Sequence, residues 1–507
     1  MPRSNRSAWI TLLMALSLPL LSMAIVPLYD TSEPRYAEIA RIMASTQDWV
    51  MPWFGPGTPF WGKPPLSFWA QALSMKLFGY NEFAARLPSW LCLLATNGFL
   101  LVGVSALRGP RIAVWSAVVY STCAVVYITS GAVLTDPFLA MGTTLSMISF
   151  ARCVRRRDGG AAGQDTGPHG VATLPCSPWW QYGFFVGLSV GLLAKGPLAA
   201  VLIGVPVGLW YALNFKRREW TTCLPWAKGL ALAALLSVPW YILAEIRTPG
   251  FLDYFIVGEH IRRYLDPGWH GDLYGKAHVE PYGMIAYFWL QATFPWGLLM
   301  LGGVVSALRS RSIRSAMSAI HDDPLRTYWL AWALFTPVFF TFSANILWTY
   351  LLPAIAPFSI LTATIIDKTI DRTAVADRKL ITVAAVVPAA ILVLSLVAFA
   401  RPELRGSERG LVHYAAQHEE PGLPLLYLSS LPFSARFYSA GRAAAVSKSR
   451  LAKWIARGVP FLLAVPKDDM SEVAKLLGRP LERLYVNDRY ILVEVDGSSY
   501  ADARHSR

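Results

Sequence analysis

Acidic and basic side chains share one polar stretch in the first half of the chain, residues 30–69. Asp30 and Glu33 stand at its start with Arg35, and Lys63 follows within a Gly-Lys-Pro-Pro turn. Arginine binds phosphate oxygens through a planar fork and lysine through a point charge, whereas a carboxylate can position or deprotonate a nucleophile. Apolar segments flank the stretch on both sides. The pattern therefore predicts a loop at a membrane surface that acts on an anionic, lipid-linked substrate.

Two short helices are predicted to carry this loop. Ser32-Glu33-Pro34 is typical of a helix start, because short polar side chains cap free backbone N–H groups and proline is tolerated in the first turn. From there Tyr36 and the apolar residues at helical spacing share one face, and Arg35 shares the other with Glu38 and Arg41. A second helix is expected over Leu66–Phe78. Between the two helices, prolines and glycines predict irregular backbone.

Further ionisable residues lie where apolar segments meet. Such groups are costly in a membrane unless they are paired or reach water, so they are candidates for function. Each also has a structural alternative: Lys195 as a snorkelling side chain, Asp136 as a helix cap, His260 as a structural histidine. The candidates beyond the first loop are Asp136, Lys195, Glu259, His260, Arg262 and Tyr350.

The composition indicates a polytopic membrane protein. Of 507 residues, 54% are hydrophobic and 15% are charged, and apolar runs of about twenty residues recur along the chain, each long enough to cross a bilayer. The formal net charge of +14 comes largely from Lys and Arg clusters at alternate ends of these runs, as the positive-inside rule predicts. The charge therefore describes topology, and no nucleic-acid partner is expected.

The topology places the candidates on one side of the membrane. We predict about eleven transmembrane helices within residues 1–401, with a cytoplasmic N-terminus and polar loops 29–85 and 247–283 outside. The first run could be a cleaved signal peptide, but retaining it gives a consistent topology. Residues 158–177 resemble a cytoplasmic linker. Residues 402–507 are expected to form a small extracytoplasmic α/β domain, with three strands and a helix over Asp468–Leu477.

The five cysteines fall in spans or on the cytoplasmic side of this topology. No disulfide is expected in the exported domain, and no cysteine pair has metal-ligand spacing.

Several motifs together resemble those of the aminoarabinose lipid A transferases. These belong to the GT-C class of integral membrane glycosyltransferases, together with the protein O-mannosyltransferases. The likeness covers about residues 29–360. It is carried by SEPRYAE (32–38), GKP (62–64), LTDPF (134–138), Lys195-Gly196, Glu259-His260-Ile261, FPW (294–296) and TYLLP (349–353).

The resemblance implies an inverting transfer of aminoarabinose, or a related amino sugar, from undecaprenyl phosphate to a lipid A phosphate. The site would face the periplasm from the inner membrane, and the activity would contribute to polymyxin resistance. It further implies that Arg35, Lys63 and Lys195 bind the donor phosphate and that Asp30 or Glu33, with Asp136, acts catalytically. Tyr36, Glu259, His260, Arg262 and Tyr350 would contact substrate.

Three departures from the family pattern bear on these expectations. Ser32 stands where the family usually has aspartate, so Asp30 is considered as its substitute. Gly62 replaces a glutamate that could bind a metal with the histidine of Glu-His-Ile, so no cofactor is firmly expected. The segment 343–347 lacks the lysines that lipid A enzymes tend to carry.

Two alternative functions stay open: a polyprenyl-phosphate-sugar transferase that modifies proteins or other glycans, and a flippase for the lipid-linked sugar.

Overall fold

The computed structural model describes most of the chain: residues 3–158, 176–214, 223–275, 278–309, 323–343, 345–369, 373–401, 406–418, 423–477 and 481–495. Most of the expected linker 158–177 and the basic residues at 216–218 and 311–314 lie outside these ranges. The described residues form a helical bundle that precedes a small α/β domain.

The bundle contains an apolar helix at each of the eleven predicted spans. They are α1 (Arg3–Ile25), α4 (Glu82–Arg108), α5 (Pro110–Thr122) with α6 (Ala124–Ser130), α7 (Asp136–Asp158), α8 (Pro178–Lys195), α9 (Leu198–Leu213), α10 (Trp226–Arg247), α11 (Met284–Thr293) with α12 (Trp296–Arg309), α13 (Pro324–Thr341), α14 (Leu352–Thr369) and α15 (Ala374–Ala400).

Among the described residues, six of these helices are long and apolar enough to cross a bilayer, or up to eight if each of two bent pairs is one span. The pairs α5–α6 and α11–α12 bend by 70° and 112°. The first helix, α1, packs in the bundle, with Ala8 and Leu12 in the same buried cluster as Trp115. A multi-pass membrane protein is therefore confirmed, while the count of eleven spans stays a prediction.

The first loop is built as predicted. Its helices α2 (Ser32–Thr46) and α3 (Leu66–Phe78) pack side by side, joined through a hairpin of β1 (Trp53–Gly55) and β2 (Thr58–Pro59). The apolar face of α2 is buried, and part of its polar face is buried as well. Glu38 is only 4% exposed and accepts two hydrogen bonds from Arg41, beside Gly441 of the C-terminal domain. The small domain covers this face.

The second loop follows α10. A π-helix, Asp253–Arg262, leads into a three-residue helix, Arg263–Leu265, and then into irregular chain that packs beneath the first loop. The hydrogen bonds of a π-helix join residues five apart, one more than in an α-helix, so the directions of its side chains differ from those that α-helical periodicity predicts. A short 3₁₀-helix, Trp348–Leu351, leads into α14.

The C-terminal domain confirms the predicted α/β architecture. Its five strands lie in the order β4-β3-β5-β7-β6, in which β3 pairs in parallel with β4 and β5, and β7 runs antiparallel to β5 and β6. The strands are β3 (Leu425–Leu428), β4 (Ala444–Val446), β5 (Phe461–Pro466), β6 (Tyr485–Val486) and β7 (Tyr490–Val495), and the helices are α16 (Arg409–His418), α17 (Phe433–Tyr438), α18 (Lys448–Ile455) and α19 (Met470–Leu477). Runs such as PFLLAVP form central strands because both their faces are buried.

None of the five cysteines lies in the C-terminal domain. Cys153 and Cys176 form a disulfide at one end of the bundle, with Cα atoms 5.2 Å apart. Cys92, Cys123 and Cys223 are buried and take no part in a disulfide.

Candidate active site

A cavity of about 620 Å³ lies between the two polar loops and the ends of the bundle helices. A smaller cavity of about 100 Å³ adjoins it and shares Lys63, Lys195 and Tyr350 with its wall. The charged and aromatic residues that line the larger cavity are Arg35, Tyr36, Phe60, Lys63, Asp136, Lys195, Glu259, Arg263, Asp272, Tyr274, His278, Trp348, Tyr350 and Phe433. Residues distant in sequence thus meet at one place.

Arg35 reaches the cavity from the first turns of α2. Its Nη1 donates a hydrogen bond to the carbonyl oxygen of Tyr274 at 2.6 Å, and its guanidinium carbon lies 5.1 Å from the ring centre of Tyr36. The Nε atom is buried without a hydrogen-bond partner. Among the described residues, no carboxylate forms an ion pair with Arg35. An arginine held by a carbonyl and a ring, but not neutralised, is suited to receive an anion.

Tyr36 faces the same space from the following position of α2. Burial alone raises the pKa of its phenol, but the nearby charges of Arg35, Lys63 and Lys195 outweigh burial and lower that pKa below its ordinary value. The lowered pKa of Tyr36 indicates that the cavity is electropositive, because cations stabilise the charged form of a phenol.

Lys63 enters from the turn after β2. Its Nζ donates to the Gly62 carbonyl and lies 3.0 Å from a carboxylate oxygen of Glu259. Glu259 also accepts from Arg263 at 3.0 Å, and Arg263 lies 3.3 Å from Asp272. Burial opposes ionisation of Glu259, but Lys63 and Arg263 prevail and lower its pKa to about 2. Glu259 is therefore an anion that fixes two cations, and it is not a proton acceptor near neutral pH.

Lys195 and Asp136 meet where α7 begins and α8 ends. The lysine Nζ lies 3.0 Å from the carboxylate, both side chains are 9% exposed, and the ammonium sits 5.3 Å from the ring centre of Tyr350. The turn depends on Gly196, whose φ is 77°; a Cβ there would lie 2.7 Å from the ring of Phe255. This positive φ explains the glycine of the Lys195-Gly196 motif, because glycine adopts such a conformation without steric cost.

His260 contacts the backbone, not the cavity centre. Its Nδ1 lies 2.7 Å from the carbonyl oxygen of Phe255 and its Nε2 lies 2.9 Å from that of Lys195. It thereby ties the π-helix to the end of α8, and it lines only the smaller cavity.

The Glu259-His260 pair does not fit a metal ion. Both nitrogens of His260 face carbonyl oxygens, and both oxygens of Glu259 face cations. Over the described part of the chain, no group of three or more His, Cys, Asp or Glu side chains could hold a metal. We derive no catalytic step through a metal.

Two predicted catalytic carboxylates do not line the cavity. Asp30 accepts hydrogen bonds from the backbone N and Oγ of Ser434 at 2.9 and 2.5 Å and pairs with Arg489 at 2.7 Å. It joins the first loop to the C-terminal domain. These contacts correct its expected role as a substitute for the missing aspartate at Ser32, because its oxygens are already engaged away from the substrate space.

Glu33 is likewise structural. It pairs with Arg86 at 2.8 Å and accepts from the backbone N of Val133 at 2.9 Å. Arg86 also donates to carbonyl oxygens at the end of α1. Glu33 and Arg86 line a separate cavity of about 270 Å³ bounded by α1, α6 and α15. The structure therefore leaves Asp136 as the predicted catalytic carboxylate that faces the main cavity.

The arginine of the second loop that lines the cavity is the neighbour of the one predicted from sequence. Arg262 is exposed and does not line the cavity, whereas Arg263 does. Asn345 fixes the segment that follows: its amide nitrogen donates to the carbonyls of Arg263 and Asp266, and its Oδ1 accepts from the Gly268 backbone N at 3.1 Å. Sequence reasoning missed the positioning role of Asn345, and only its place beside the TYLLP motif hinted at one.

The cavity carries an excess of positive charge. Arginines and lysines contribute four cations to its described lining and aspartates and glutamate contribute three carboxylates. The carboxylates pair with Lys63, Lys195 and Arg263, so the excess resides on Arg35. Such an arrangement can bind a phosphate and stabilise its growing negative charge as a bond to it breaks.

Sequence comparisons identify relatives that are named as sugar transferases. Residues 6–255 match the family model described as dolichyl-phosphate-mannose-protein mannosyltransferase. The chain is 30% identical over 347 residues to the undecaprenyl phosphate-alpha-4-amino-4-deoxy-L-arabinose arabinosyl transferase of Erwinia tasmaniensis, covering 68% of this chain and 56% of that protein. It is 29% identical over 342 residues to the protein of the same name from Aeromonas hydrophila, covering 66% and 56%. The chain thus matches little more than half of the length of these relatives.

Structural comparison extends the likeness to nearly the whole chain. The crystal structure of ArnT from Cupriavidus metallidurans bound to undecaprenyl phosphate superposes with a TM-score of 0.74 at 18% identity, covering 97% of this chain and 98% of that one. The archaeal oligosaccharyltransferase AglB from Archaeoglobus fulgidus gives a TM-score of 0.55 at 11% identity, covering 94% and 70%. These likenesses confirm the predicted GT-C membrane fold.

Proposed function

We propose that this chain, which has a GT-C membrane fold and is similar in sequence to undecaprenyl-phosphate aminoarabinose transferases, is an inverting glycosyltransferase. Its donor is an aminoarabinose, or related amino sugar, linked to undecaprenyl phosphate, and its acceptor is a lipid A phosphate. The observation that carries the proposal is the convergence of Arg35, Lys63 and Lys195 on one cavity of about 620 Å³. The names of the relatives and the shared fold support the choice of donor.

In the proposed reaction an oxygen of the acceptor phosphate attacks the anomeric carbon of the donor sugar. A new C–O bond forms on one face while the bond from that carbon to the donor phosphate breaks on the other, and its electron pair leaves with undecaprenyl phosphate. Arg35, Lys63 and Lys195 stabilise the charge that develops on the departing phosphate. Because a phosphate acceptor is already ionised near neutral pH, it needs no strong general base.

The other cavity residues have positioning roles in this scheme. Asp136 holds the Lys195 ammonium at 3.0 Å and can stabilise positive charge at the sugar carbon. Glu259 holds Lys63 and Arg263 together. Tyr36 and Tyr350 border the cavity with rings next to the cations. Asp30 does not line the cavity. The proposed reaction does not need it there, because a phosphate nucleophile requires no proton to be removed.

We place the protein in the inner membrane with its N-terminus in the cytoplasm and its C-terminal domain in the periplasm. The basic residues at one end of the bundle support this orientation. Arg108 and Arg111 form ion pairs with Asp323 and Asp367 at the end of the bundle opposite the polar loops, and positive residues accumulate on the cytoplasmic side of membrane proteins.

The test is transfer by the purified protein, reconstituted in lipid nanodiscs with radiolabelled undecaprenyl-phosphate aminoarabinose. We expect label in added lipid A, and no label in that fraction from an Arg35→Ala variant. Arg262→Ala is the matched control, because that arginine is exposed and does not line the cavity. Label in co-purified protein instead would favour the protein-modifying alternative. Movement of intact donor across proteoliposomes without transfer would favour the flippase.

A further inference from the structure

The C-terminal domain supplies one residue of the cavity wall. Phe433, the first residue of α17, lines the cavity, and the remaining described lining residues come from positions 31–350. The resemblance to the aminoarabinose transferases covers about residues 29–360. The contribution of Phe433 therefore comes from a part of the chain to which the motifs assign no role.

Phe433 stands between two arginines. Its ring centre lies 6.0 Å from the guanidinium carbon of Arg35 and 5.5 Å from that of Arg436. Phe54 of the first-loop hairpin packs edge-on against it at 5.5 Å and also lies 5.9 Å from Arg436. The ring thus joins the donor-phosphate residue Arg35 to a second cation outside the cavity lining.

Arg436 has no counter-ion in the described part of the chain. Its Nε is buried without a hydrogen-bond partner, and its contacts are with the aromatic rings of Phe54 and Phe433. Arginine stacked on rings keeps its fork free for a carboxylate or phosphate. Its side chain is intermediate in exposure, and its guanidinium carbon lies 5.5 Å from the ring centre of the cavity residue Phe433, so an anion beside that ring can reach it.

The position of α17 is fixed by contacts on both sides of Phe433. Ser434 donates twice to Asp30, as described above. At the other end of the helix, the hydroxyl of Tyr438 donates to Glu82 at 3.0 Å and accepts from the Leu28 backbone N at 2.8 Å. The small domain is therefore held to the membrane region through α17, which gives the Phe433 ring a defined place in the wall.

We propose that Phe433 and Arg436 form the acceptor side of the active site, a subsite for a phosphorylated sugar headgroup. The ring offers an apolar face to the sugar C–H groups, and the guanidinium binds a phosphate. This inference rests on the proposed function, in which two anionic lipids must approach one centre. Arg35, Lys63 and Lys195 serve the donor phosphate, and the acceptor needs a separate cation.

Binding measurements test the subsite without requiring turnover. The dissociation constants of lipid A and of undecaprenyl phosphate are measured separately on the full-length protein in nanodiscs. We expect Arg436→Gln to weaken lipid A binding by about tenfold, the size of a lost hydrogen bond to a charged group. Phe433→Ala should weaken it by about the same factor through lost apolar contact, and undecaprenyl phosphate binding should be unchanged in both. Phe433→Tyr keeps the ring and should bind lipid A like the wild type.

Arg457→Gln is the matched control, because Arg457 stacks on Trp454 of the same domain at 4.6 Å but does not line the cavity. Unchanged lipid A affinity in Phe433→Ala or Arg436→Gln would overturn the subsite. Equal weakening of both lipids would also overturn it, because the ring would then serve only to hold Arg35. A wild-type protein that binds both lipids but transfers no sugar would refute the proposed function and leave the subsite intact.

Discussion

The buried pair of Lys195 and Asp136 allows catalysis to be separated from stability. The two groups lie 3.0 Å apart with side chains that are 9% exposed. Lys195→Met removes the cation and leaves the carboxylate without its partner. Breaking a buried ion pair in this way costs about 3–5 kcal/mol, so the single variant should unfold at a lower temperature. If Lys195 also stabilises the departing phosphate, transfer should fall by about 10²–10³-fold, the usual effect of losing one such donor.

The double variant Lys195→Met with Asp136→Leu distinguishes the two effects. Replacing both members of a buried pair with apolar side chains is often neutral or stabilising. We therefore expect its unfolding temperature, followed by fluorescence-detected size-exclusion chromatography, to return toward that of the wild type while transfer stays lost. Recovery of both stability and transfer in the double variant would refute the phosphate-binding role and leave Lys195 as a structural residue.

Three further predictions concern the second loop. Arg263→Ala should reduce transfer at least tenfold, whereas Arg262→Ala next to it should have no effect; the reverse order would restore the assignment made from sequence. Asn345→Ala removes three hydrogen bonds to the 263–268 segment and should raise the donor KM, and an unchanged KM would show that the segment holds itself in place. The pKa of Glu259 is lowered to about 2 from 4.5, so this group adds stability above pH 4.5 that is lost as the pH falls toward 2. The difference in unfolding temperature between wild type and Glu259→Gln should therefore be constant from about pH 8 to 5 and shrink at lower pH, and a difference that is independent of pH throughout would contradict the lowered pKa.

Much of the membrane region could be predicted because its signals are local. Apolar length and basic clusters predict helices and their orientation, and they place Arg35, Lys63 and Lys195 on a common side of the membrane, where the structure brings these three into one cavity. The helices 32–46 and 66–78 likewise follow from prolines and the spacing of apolar residues, although neither helix has a side-chain hydrogen bond at its N-cap.

The roles of Asp30 and Glu33 could not be predicted, because their partners are distant in sequence. Asp30 pairs with Arg489, 459 residues away, and Glu33 pairs with Arg86, 53 residues away. The sequence shows that each carboxylate lies beside a recognisable motif, which favours a catalytic role. Only the structure shows the distant arginine with which each one pairs.

The choice between Arg262 and Arg263 depended on backbone geometry that sequence periodicity does not reveal. The π-helix Asp253–Arg262 changes the phase of the side chains that follow it. The contribution of Phe433 depended on the packing of an entire domain on α2, and the polar face of α2 gave no sign of that contact.

The central claim is that cations from three separate segments bind one donor phosphate, and binding of undecaprenyl phosphate tests it most directly. Titration of the purified protein should show affinity reduced about 10–100-fold in each of Arg35→Ala, Lys63→Ala and Lys195→Met, and unchanged in Arg262→Ala. Wild-type affinity in any of the three cavity variants would contradict the account.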